Sequence, residues 1–384
     1  MKTGWQTSTL GDTCEMYQPK TISGKEMVPD GAYPVFGANG IIGRYYQYNH
    51  EEPQLLITCR GATCGSVNIS EPFSWITGNA MVVRPKSAEI DMRFLEYLFR
   101  GGIDISKAIT GAAQPQITRA NLSPLQIRYP TSVAEQQRIV AILDEAFAGI
   151  ATARAAAEQN RQNARSLFES HLQSVFSQRG EGWVEKPLGE LATFRNGINF
   201  TKSSRGESIR ILGVKNFQNS FWAPLDELET IIPDGVLSDA DTLEEHDLVF
   251  VRSNGNPELI GRCLLIGAVS ERITYSGFTI RARLHTQDVV PQYLCHFLKS
   301  NKARREMIDG GNGANIKSLN QGTLSRLVIP FPDTSNQVAL VEQLEAVQQE
   351  AQRLEALYQR KLEALDELKQ SLLHQAFSGQ LLGN

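Results

Sequence analysis

The chain has 384 residues, of which 41% are hydrophobic and 21% are charged, and its formal net charge is −4. This length predicts two domains of ordinary size, and the composition excludes a generally disordered chain. No apolar run reaches the ~20 residues of a membrane-spanning helix, and the first residues lack the apolar stretch of a signal peptide. The near-neutral charge excludes bulk basicity as a source of nucleic-acid affinity, so any polyanion binding needs local basic patches or a partner.

Residues 1–130 read as a mixed α+β domain. Short β-branched runs broken by glycine and asparagine, such as "QLLITCRGATCGSVNIS" and "NAMVVRP", predict strands. The stretch "MRFLEYLFRGG" that follows them predicts a short helix.

Residues 131–180 predict one long helix. Thr131 and Ser132 follow Pro130 as capping residues. Apolar or small residues then recur at spacings of four and three, which is the seam of a coiled coil. About 45 residues at 1.5 Å each make a helix of ~65 Å. The predicted seam contains Ile139, Leu143, Ala146, Ile150, Ala153, Ala157, Ala164 and Leu167.

Residues 181–332 predict a second α+β domain, and residues 333–384 a second long helix. The runs "DLVFVRSNGNPELIGRCLLIGAV" and "FTIRARL" predict strands, and "PQYLCHFLKSNKARREM" predicts a helix. We expect the two long helices to pair with each other; the alternative is that each lies separately on its own domain. The seam of the second helix contains Leu340, Leu344, Val347, Ala351, Leu354, Tyr358, Leu365, Leu368 and Leu372.

The two halves form an internal repeat. "GWQTSTLGD" begins at Gly4 and "GWVEKPLGE" begins at Gly182, an offset of 178 residues. After each domain the offset is 202 (Leu122 and Leu324), and from Gln136 and Gln337 onward it is 201. The second domain is therefore longer by about 23 residues, whereas the helical segments have equal length. This pattern indicates that the helices are constrained and the domains vary.

The sequence offers no motif for catalysis, and we predict that the chain is not an enzyme. The glycines of "VFGANGIIGRYY" lack the following helix of a dinucleotide loop, and "GATCGS" lacks the lysine of a phosphate loop. The six histidines are scattered, and the five cysteines include no Cys-x-x-Cys pair, which favours reduced cytoplasmic thiols over a metal site.

In its order of parts the chain resembles the specificity (S) subunit of type I restriction-modification systems. The resemblance covers essentially the whole chain. It rests on the duplicated "GW…LGD/E" openings, on "PVFGANGIIGRY", on "NLSPLQIRYPTSVAEQQRIVAIL", and on "LLHQAFSGQL" at the end. One position departs from the pattern, because Glu135 of the first copy is replaced by Asn336 in the second.

The resemblance implies an α+β fold with two similar globular target recognition domains separated by two long antiparallel coiled-coil helices, related as an internal pseudo-twofold repeat. It implies a non-catalytic reader of double-stranded DNA for two modification (methyltransferase) subunits and for restriction (translocase/endonuclease) subunits. S-adenosylmethionine would bind to the modification subunits, with no cofactor in this chain. Two different readers imply a bipartite, asymmetric target whose halves lie about one helical turn apart.

Base-reading side chains are expected on glycine-rich loops, because arginine suits guanine and asparagine or glutamine suits adenine. "GAAQPQITR" and "GNGANIKS" occupy equivalent places before the closing strand of each domain. In the first domain the candidates are Asn39, Arg44, Tyr46, Arg60, Gln114, Gln116 and Arg119. In the second domain they are Arg195, Asn199, Lys202, Lys215, Asn216, Arg252, Asn254, Asn256, Asn315 and Lys317.

Two other functions remain open from the sequence. One is a coiled-coil scaffold or adaptor with duplicated protein-binding domains, which would show no preference between DNA sequences. The other is a methyltransferase or nuclease with disguised motifs, which would bind S-adenosylmethionine or a metal by itself.

Overall fold

The computed structural model of the protein describes residues 4–111, 113–178, 180–201, 203–218, 220–309 and 318–381. It divides into two compact units. The first contains residues up to 158 together with residues from 359 onward, and the second contains residues 159–358. Each unit therefore holds one globular domain and parts of both long helices. In the described ranges, no helix has the length and apolarity that crossing a bilayer demands.

In the part that the structure describes, the first domain has nine strands and three short α-helices. Its strands are β1 Trp5–Thr9, β2 Cys14–Tyr17, β3 Tyr33–Gly37, β4 Gly40–Tyr45, β5 Leu55–Thr58, β6 Val67–Ile69, β7 Trp75–Ile76, β8 Ala80–Pro85 and β9 Gln126–Pro130. Its helices are α1 Leu10–Thr13, α2 Met92–Tyr97 and α3 Arg119–Leu122. The first long helix follows as α4, Val133–Ser177.

Among its described residues the second domain also has nine strands and three α-helices. Its strands are β10 Val184–Pro187, β11 Ala192–Asn196, β12 Ile209–Leu212, β13 Glu229–Ile231, β14 Leu248–Val251, β15 Cys263–Leu265, β16 Ile273–Tyr275, β17 Thr279–Leu284 and β18 Val328–Phe331. Its helices are α5 Pro291–Lys299, α6 Asn301–Asp309 and α7 Gln321–Arg326. The second long helix is α8, Thr334–Ser378.

Both domains have the same sheet topology. A four-stranded sheet runs β2-β8-β5-β6 in the first domain and β11-β17-β14-β15 in the second. A three-stranded sheet runs β4-β3-β7 or β13-β12-β16, and in each the last pair is parallel. A two-stranded ribbon, β1-β9 or β10-β18, joins the first strand of the domain to its last. The predicted repeat is thus a repeat of folded structure.

The duplicated opening motif has a structural cause. Gly4 and Gly182 both adopt a φ of +87°, a left-handed conformation that favours glycine. Leu10 and Leu188 each donate a backbone hydrogen bond to the leucine that precedes β9 or β18, at 2.9 and 2.8 Å. Gly11 and Gly189 lie so close to Ser123 and Ser325 that a β-carbon would meet the serine at 3.0 Å or less.

A buried glutamine anchors each long helix to its domain. Gln136 donates to the carbonyls of Glu89 (2.8 Å) and Pro130 (2.9 Å), and its Oε1 accepts from the backbone of Asp91 (2.8 Å). Gln337 repeats all three bonds, with Asp288, Pro332 and Val290, each at 2.8 Å. Both side chains are completely buried.

This anchor explains why the repeat offset changes by one residue. Six positions separate Gln136 from the proline carbonyl that it contacts, but five separate Gln337 from its own. Each helix has a cap residue, Ser132 or Asp333, at the same number of sequence positions before its glutamine. The extra residue of the first copy therefore lies between the proline and the cap residue, and the hydrogen bonds of the glutamine are unchanged.

The departure between Glu135 and Asn336 has a local consequence. Glu135 accepts a hydrogen bond from the Trp5 indole at 3.3 Å in the first unit. Asn336 instead bonds to the carboxylate of its own cap residue, Asp333. The neighbouring glutamines keep the same contacts, so the change alters the first helical turn and leaves the anchor intact.

The two long helices pair in antiparallel fashion within each unit, as predicted. In the first unit Lys369 lies 5.3 Å from the Phe147 ring, and Arg154, one heptad further along α4, forms an ion pair with Asp366. In the second unit Arg165 donates to Glu355 at 2.6 Å. The alternative of two separate helices is wrong.

Each domain is packed by the start of one long helix and the end of the other. The core of the first unit contains Leu143 of α4 and Phe377 of α8, and the core of the second contains Leu344 of α8 and Phe176 of α4. Phe377 meets Phe94 at 5.5 Å, and Phe176 meets Tyr293 at 5.4 Å, both edge to face. Aromatic pairs of this geometry add roughly 0.5–1.5 kcal/mol to the burial of their area.

The predicted seam is wrong at two equivalent positions. Leu167 is 46% exposed and Leu368 is 47% exposed. Near the end of each helix the buried face turns toward the globular domain, where Phe176 and Phe377 are buried instead. Heptad spacing describes only the part of a helix that faces another helix, so it fails where the partner becomes a domain.

We expect Gln136→Ala and Gln337→Ala to lower the free energy of unfolding by about 1–3 kcal/mol each, because each leaves a buried carbonyl and a buried amide without partners. Urea unfolding of the full chain would measure the loss. Gln137→Ala, at the exposed neighbouring position, is the matched control. Equal stability of the Gln136→Ala and Gln137→Ala chains would contradict the anchoring role.

Candidate nucleic-acid interface

The sequence candidates of the first unit gather mainly at one edge of its four-stranded sheet, where β5 ends and β8 begins. The Thr58 hydroxyl donates to the backbone of Ala38 at 2.8 Å and contacts Asn39 Oδ1 at 3.1 Å, so the tip of the β3-β4 hairpin is tied to this edge. Arg60, two residues after Thr58, forms a β-bridge with Gln116. The structure thus places Asn39, Arg60 and Gln116 together, and all three are exposed.

The loop that carries Gln114 and Gln116 is held by backbone bonds on both sides. Thr110 and Gln116 exchange two bonds, at 2.9 and 2.8 Å, and Ile117 donates to Cys59 at 2.9 Å. Arg119 is exposed at the start of α3, which Thr118 caps by accepting from Asn121 at 3.2 Å. These bonds fix the backbone at Gln116, so its side chain is presented with little entropy to lose on binding.

Arg44 and Tyr46 lie at the opposite end of β4 from Asn39. The Arg44 guanidinium donates to the carbonyls of Gly31 (2.6 Å) and Ala32 (2.7 Å), which holds the incoming loop. Tyr46 is 59% exposed, with its ring 4.2 Å from that of Tyr45. The structure does not bring these two residues to the edge where Arg60 lies.

In the second unit the equivalent edge carries Arg252 and Asn199. Arg252 follows β14, and its Nη1 donates to the Gly277 carbonyl at 3.3 Å. A β-carbon on Gly277 would lie 2.1 Å from Asn199 Oδ1, so these three residues are close neighbours. Leu319 donates to Arg252 at 2.9 Å, as Ile117 does to Cys59. These bonds show that Arg252 occupies the position equivalent to Cys59 in the first unit. Ser253 is therefore equivalent to Arg60.

The remaining described candidates of the second unit make contacts inside the protein. Arg195 donates to Asp241 at 3.0 and 2.6 Å, and Lys215 forms an ion pair with Glu229. Asn216 is only 5% exposed, and its Oδ1 accepts from the Gly213 backbone at 2.9 Å. Asn216 therefore caps a turn inside the protein, which disfavours it as a base-reading residue.

Asn254 and Asn256 shape the loop after Arg252. Asn254 accepts from the backbone of Asn256 at 2.8 Å, and Asn256 accepts from Glu258 at 3.0 Å. Both are short-range caps, and Asn256 is exposed. Three further candidates, Lys202, Asn315 and Lys317, lie outside the described residues.

The same sheet edge carries two exposed residues that no sequence motif singled out, Asn79 and Phe278. Each precedes the strand that pairs with β5 or β14. Their signal in the sequence was a glycine immediately before a predicted strand in both copies. That signal is weak without knowledge of how the strands pair, because glycine precedes many strands.

No catalytic arrangement emerges from the described residues. They contain no group of three or more histidines, cysteines or carboxylates placed to hold a metal ion, and all five cysteines are free thiols. Burial raises the pKa of the Cys59 thiol to about 11, which disfavours the reactive thiolate.

His296 is the histidine with the most perturbed surroundings. It is 1% exposed, and the Phe221 ring lies 4.4 Å from its own. Neither ring nitrogen has a hydrogen-bond partner among the described residues. Burial, aided by the charge of Lys299, lowers its pKa to about 4. A neutral imidazole enclosed by aromatic side chains serves packing, not proton transfer.

A model of the family "Type I restriction modification DNA specificity domain" matches residues 2–159 and 180–364. The specificity subunit of the type I restriction enzyme EcoKI from Escherichia coli (strain K12) is 27% identical over 299 residues, which cover 72% of this chain and 62% of that protein. The StySPI specificity subunit from Salmonella potsdam is 22% identical over 209 residues, 52% of this chain and 44% of that protein. The matches thus span less than two thirds of both relatives.

Two solved structures share the fold over almost the full length. A chain from "Structural basis underlying complex assembly and conformational transition of the type I R-M system" has a TM-score of 0.77, with 15% identity and 99% of each chain covered. The HsdS subunit from Thermoanaerobacter tengcongensis has a TM-score of 0.64, with 16% identity, covering 99% of this chain and 98% of that one.

We expect acid to destabilise the protein partly through His296. Its pKa is near 6.5 in an unfolded chain and about 4 in the fold, so the unfolded state binds more protons between these values. The contribution is fully present above pH 6.5 and is lost as pH falls toward 4, by up to about 3 kcal/mol. Urea unfolding at pH 7 and 4.5 would show a smaller loss for His296→Phe than for the native chain. His246→Asn, at a more exposed site, is the control, and equal losses in all three chains would contradict this.

Proposed function

The chain belongs to the family of type I restriction-modification DNA specificity domains, and we propose that it is the specificity subunit of a type I restriction-modification complex. In this role it recognises a bipartite, asymmetric site in double-stranded DNA and catalyses nothing itself. It works with modification subunits that use S-adenosylmethionine, and with restriction subunits. Because its substrate is cellular DNA, we propose that it acts in the cytoplasm.

The duplicated sheet edge is the observation that supports this function. Each domain holds polar side chains on short loops that backbone hydrogen bonds fix in the same register. The loops differ in sequence: Arg60 and Gln116 stand in one copy, and Arg252 and Asn199 in the other. Identical frames with different side chains suit two readers of different base sequences, because bases are distinguished by donor and acceptor patterns in the major groove.

The near-neutral charge of the chain supports a role in which DNA binding is shared with partner subunits. Non-specific affinity for DNA comes from neutralising phosphates, and the formal net charge of this chain is −4. We therefore propose that the modification subunits supply most phosphate contacts, and that this chain alone binds DNA weakly and with strong salt dependence.

The direct test of the function is a map of methylated adenines in the source genome with and without this gene. The proposed function requires one bipartite sequence motif to lose its methylation when the gene is deleted. An unchanged methylation map would reject it. If the chain were instead an adaptor without DNA specificity, no sequence motif would depend on this chain for its methylation.

We expect Arg252→Ala to weaken binding of the assembled complex to its target by about 1–3 kcal/mol, because a bidentate contact to guanine would be lost. Titration of labelled target DNA would measure the loss. Arg272→Ala is the matched control, since this arginine lies in the same unit and pairs with Asp239, which is almost fully exposed. Undiminished affinity of a folded Arg252→Ala complex would remove Arg252 from the reading residues.

We also propose that the paired helices set the gap between the two half-sites. Inserting one heptad into α4 and one into α8, at positions that pair, adds about 10 Å to the paired segment. At 3.4 Å per base pair the recognised gap should widen by about three base pairs. Methylation mapping of the variant complex would report the new gap. Methylation at the original spacing would show that the helices do not determine it.

A further inference from the structure

The residues Asn79 and Phe278 occupy one duplicated turn. Ala80 donates to the Thr77 carbonyl at 3.1 Å, and Thr279 donates to the Ser276 carbonyl at 2.8 Å. Each bond closes a four-residue β-turn whose third residue is Asn79 or Phe278. In the second copy the Thr279 hydroxyl also donates to Ser276, at 2.7 Å, which fixes the turn further.

The glycine inside each turn is required by a close approach of the chain. A β-carbon on Gly78 would lie 2.7 Å from Thr21 Oγ1, and one on Gly277 would lie 2.1 Å from Asn199 Oδ1. Thr21 and Asn199 are 178 residues apart, the same offset as the opening motifs. Both turns are therefore packed against the segment that follows the first strand of the four-stranded sheet.

The turn is also locked to the strand end that carries the candidate arginines. Cys59 donates to the carbonyl of Asn79 at 3.2 Å, and Arg252 donates to the carbonyl of Phe278 at 2.8 Å. The backbone at these two turn positions is thus held beside the predicted reading residues in both units. The side chain at the turn position differs between the copies, whereas these backbone bonds are shared.

Phe278 is exposed over 59% of its surface although it sits in this rigid turn. The Arg252 guanidinium bonds to the carbonyl of Gly277, the residue that precedes Phe278 in the turn. A fixed turn that carries an apolar residue and also binds an arginine is suited to a surface that offers both an apolar group and hydrogen-bond acceptors. In the major groove of DNA these are the 5-methyl group of thymine and the O6 and N7 atoms of guanine.

Building on the proposed function, we propose that this turn position determines specificity in both units, and that Phe278 contacts the 5-methyl group of a thymine next to the base read by Arg252. Asn79 takes the same place in the first unit, where an amide side chain suits an adenine. The thymine contact is apolar, so it adds discrimination to the polar contacts of Arg252 without competing for their acceptors.

The test uses the complex with its modification subunits and a plasmid library in which the target is randomised. We expect the Phe278→Ala complex to accept any base pair at one position of a single half-site, while the other half-site stays unchanged. We then expect deoxyuridine in place of that thymine, which removes only the methyl group, to weaken the native complex about 4-fold. The Phe278→Ala complex should bind both DNAs equally.

Val236→Ala is the control, because Val236 is an apolar side chain of the same unit that is 99% exposed. It should keep the native target at every position. If the Phe278→Ala complex stays as selective as the native one, or loses affinity for all sequences alike, the assignment of Phe278 is overturned while the proposed function stands. If the native complex itself shows no preferred sequence, the proposed function fails, and this assignment with it.

Discussion

The interaction on which the rest of the structure depends is the buried glutamine at the start of each long helix. Gln136 and Gln337 each join the first helical turn to two carbonyls and one amide of the adjoining domain. An amide side chain can make these bonds in only one orientation, and burial makes any lost bond costly. The direction of each helix relative to its own domain follows from this anchor.

The second constraint is that the core of each domain is completed by the end of the long helix that belongs to the other copy. Phe377 completes the core of the first unit and Phe176 that of the second, each against an aromatic residue of the domain. Neither domain core is complete with its own helix alone. This explains why the helical segments keep one length between the copies while the second domain is longer by about 23 residues, since added length in a helix would move the borrowed residues out of register.

The candidate interface combines a backbone frame that the two copies share with side chains that differ between the copies. The turns at Asn79 and Phe278 and the strand ends at Cys59 and Arg252 share their backbone bonds, so residues there can change without changing the fold. Other residues that the sequence predicted as readers make contacts within the protein. Arg44 holds a loop, Arg195 pairs with Asp241, and Asn216 is buried. A polar residue on a loop is thus a candidate reader only where the fold places it at the shared edge.

The sequence by itself determined the repeat, the α+β class and the paired long helices, because periodicity and duplicated motifs are local patterns that survive without coordinates. It also located the loop of Gln114 and Gln116, since that loop precedes a recognisable closing strand. Only the tertiary structure decided that Leu167 and Leu368 are exposed and that Arg252 matches Cys59. Asn79 and Phe278 became visible in the same way. Such facts depend on which strands pair and where a helix changes partners, and those choices arise from contacts between residues far apart in the chain.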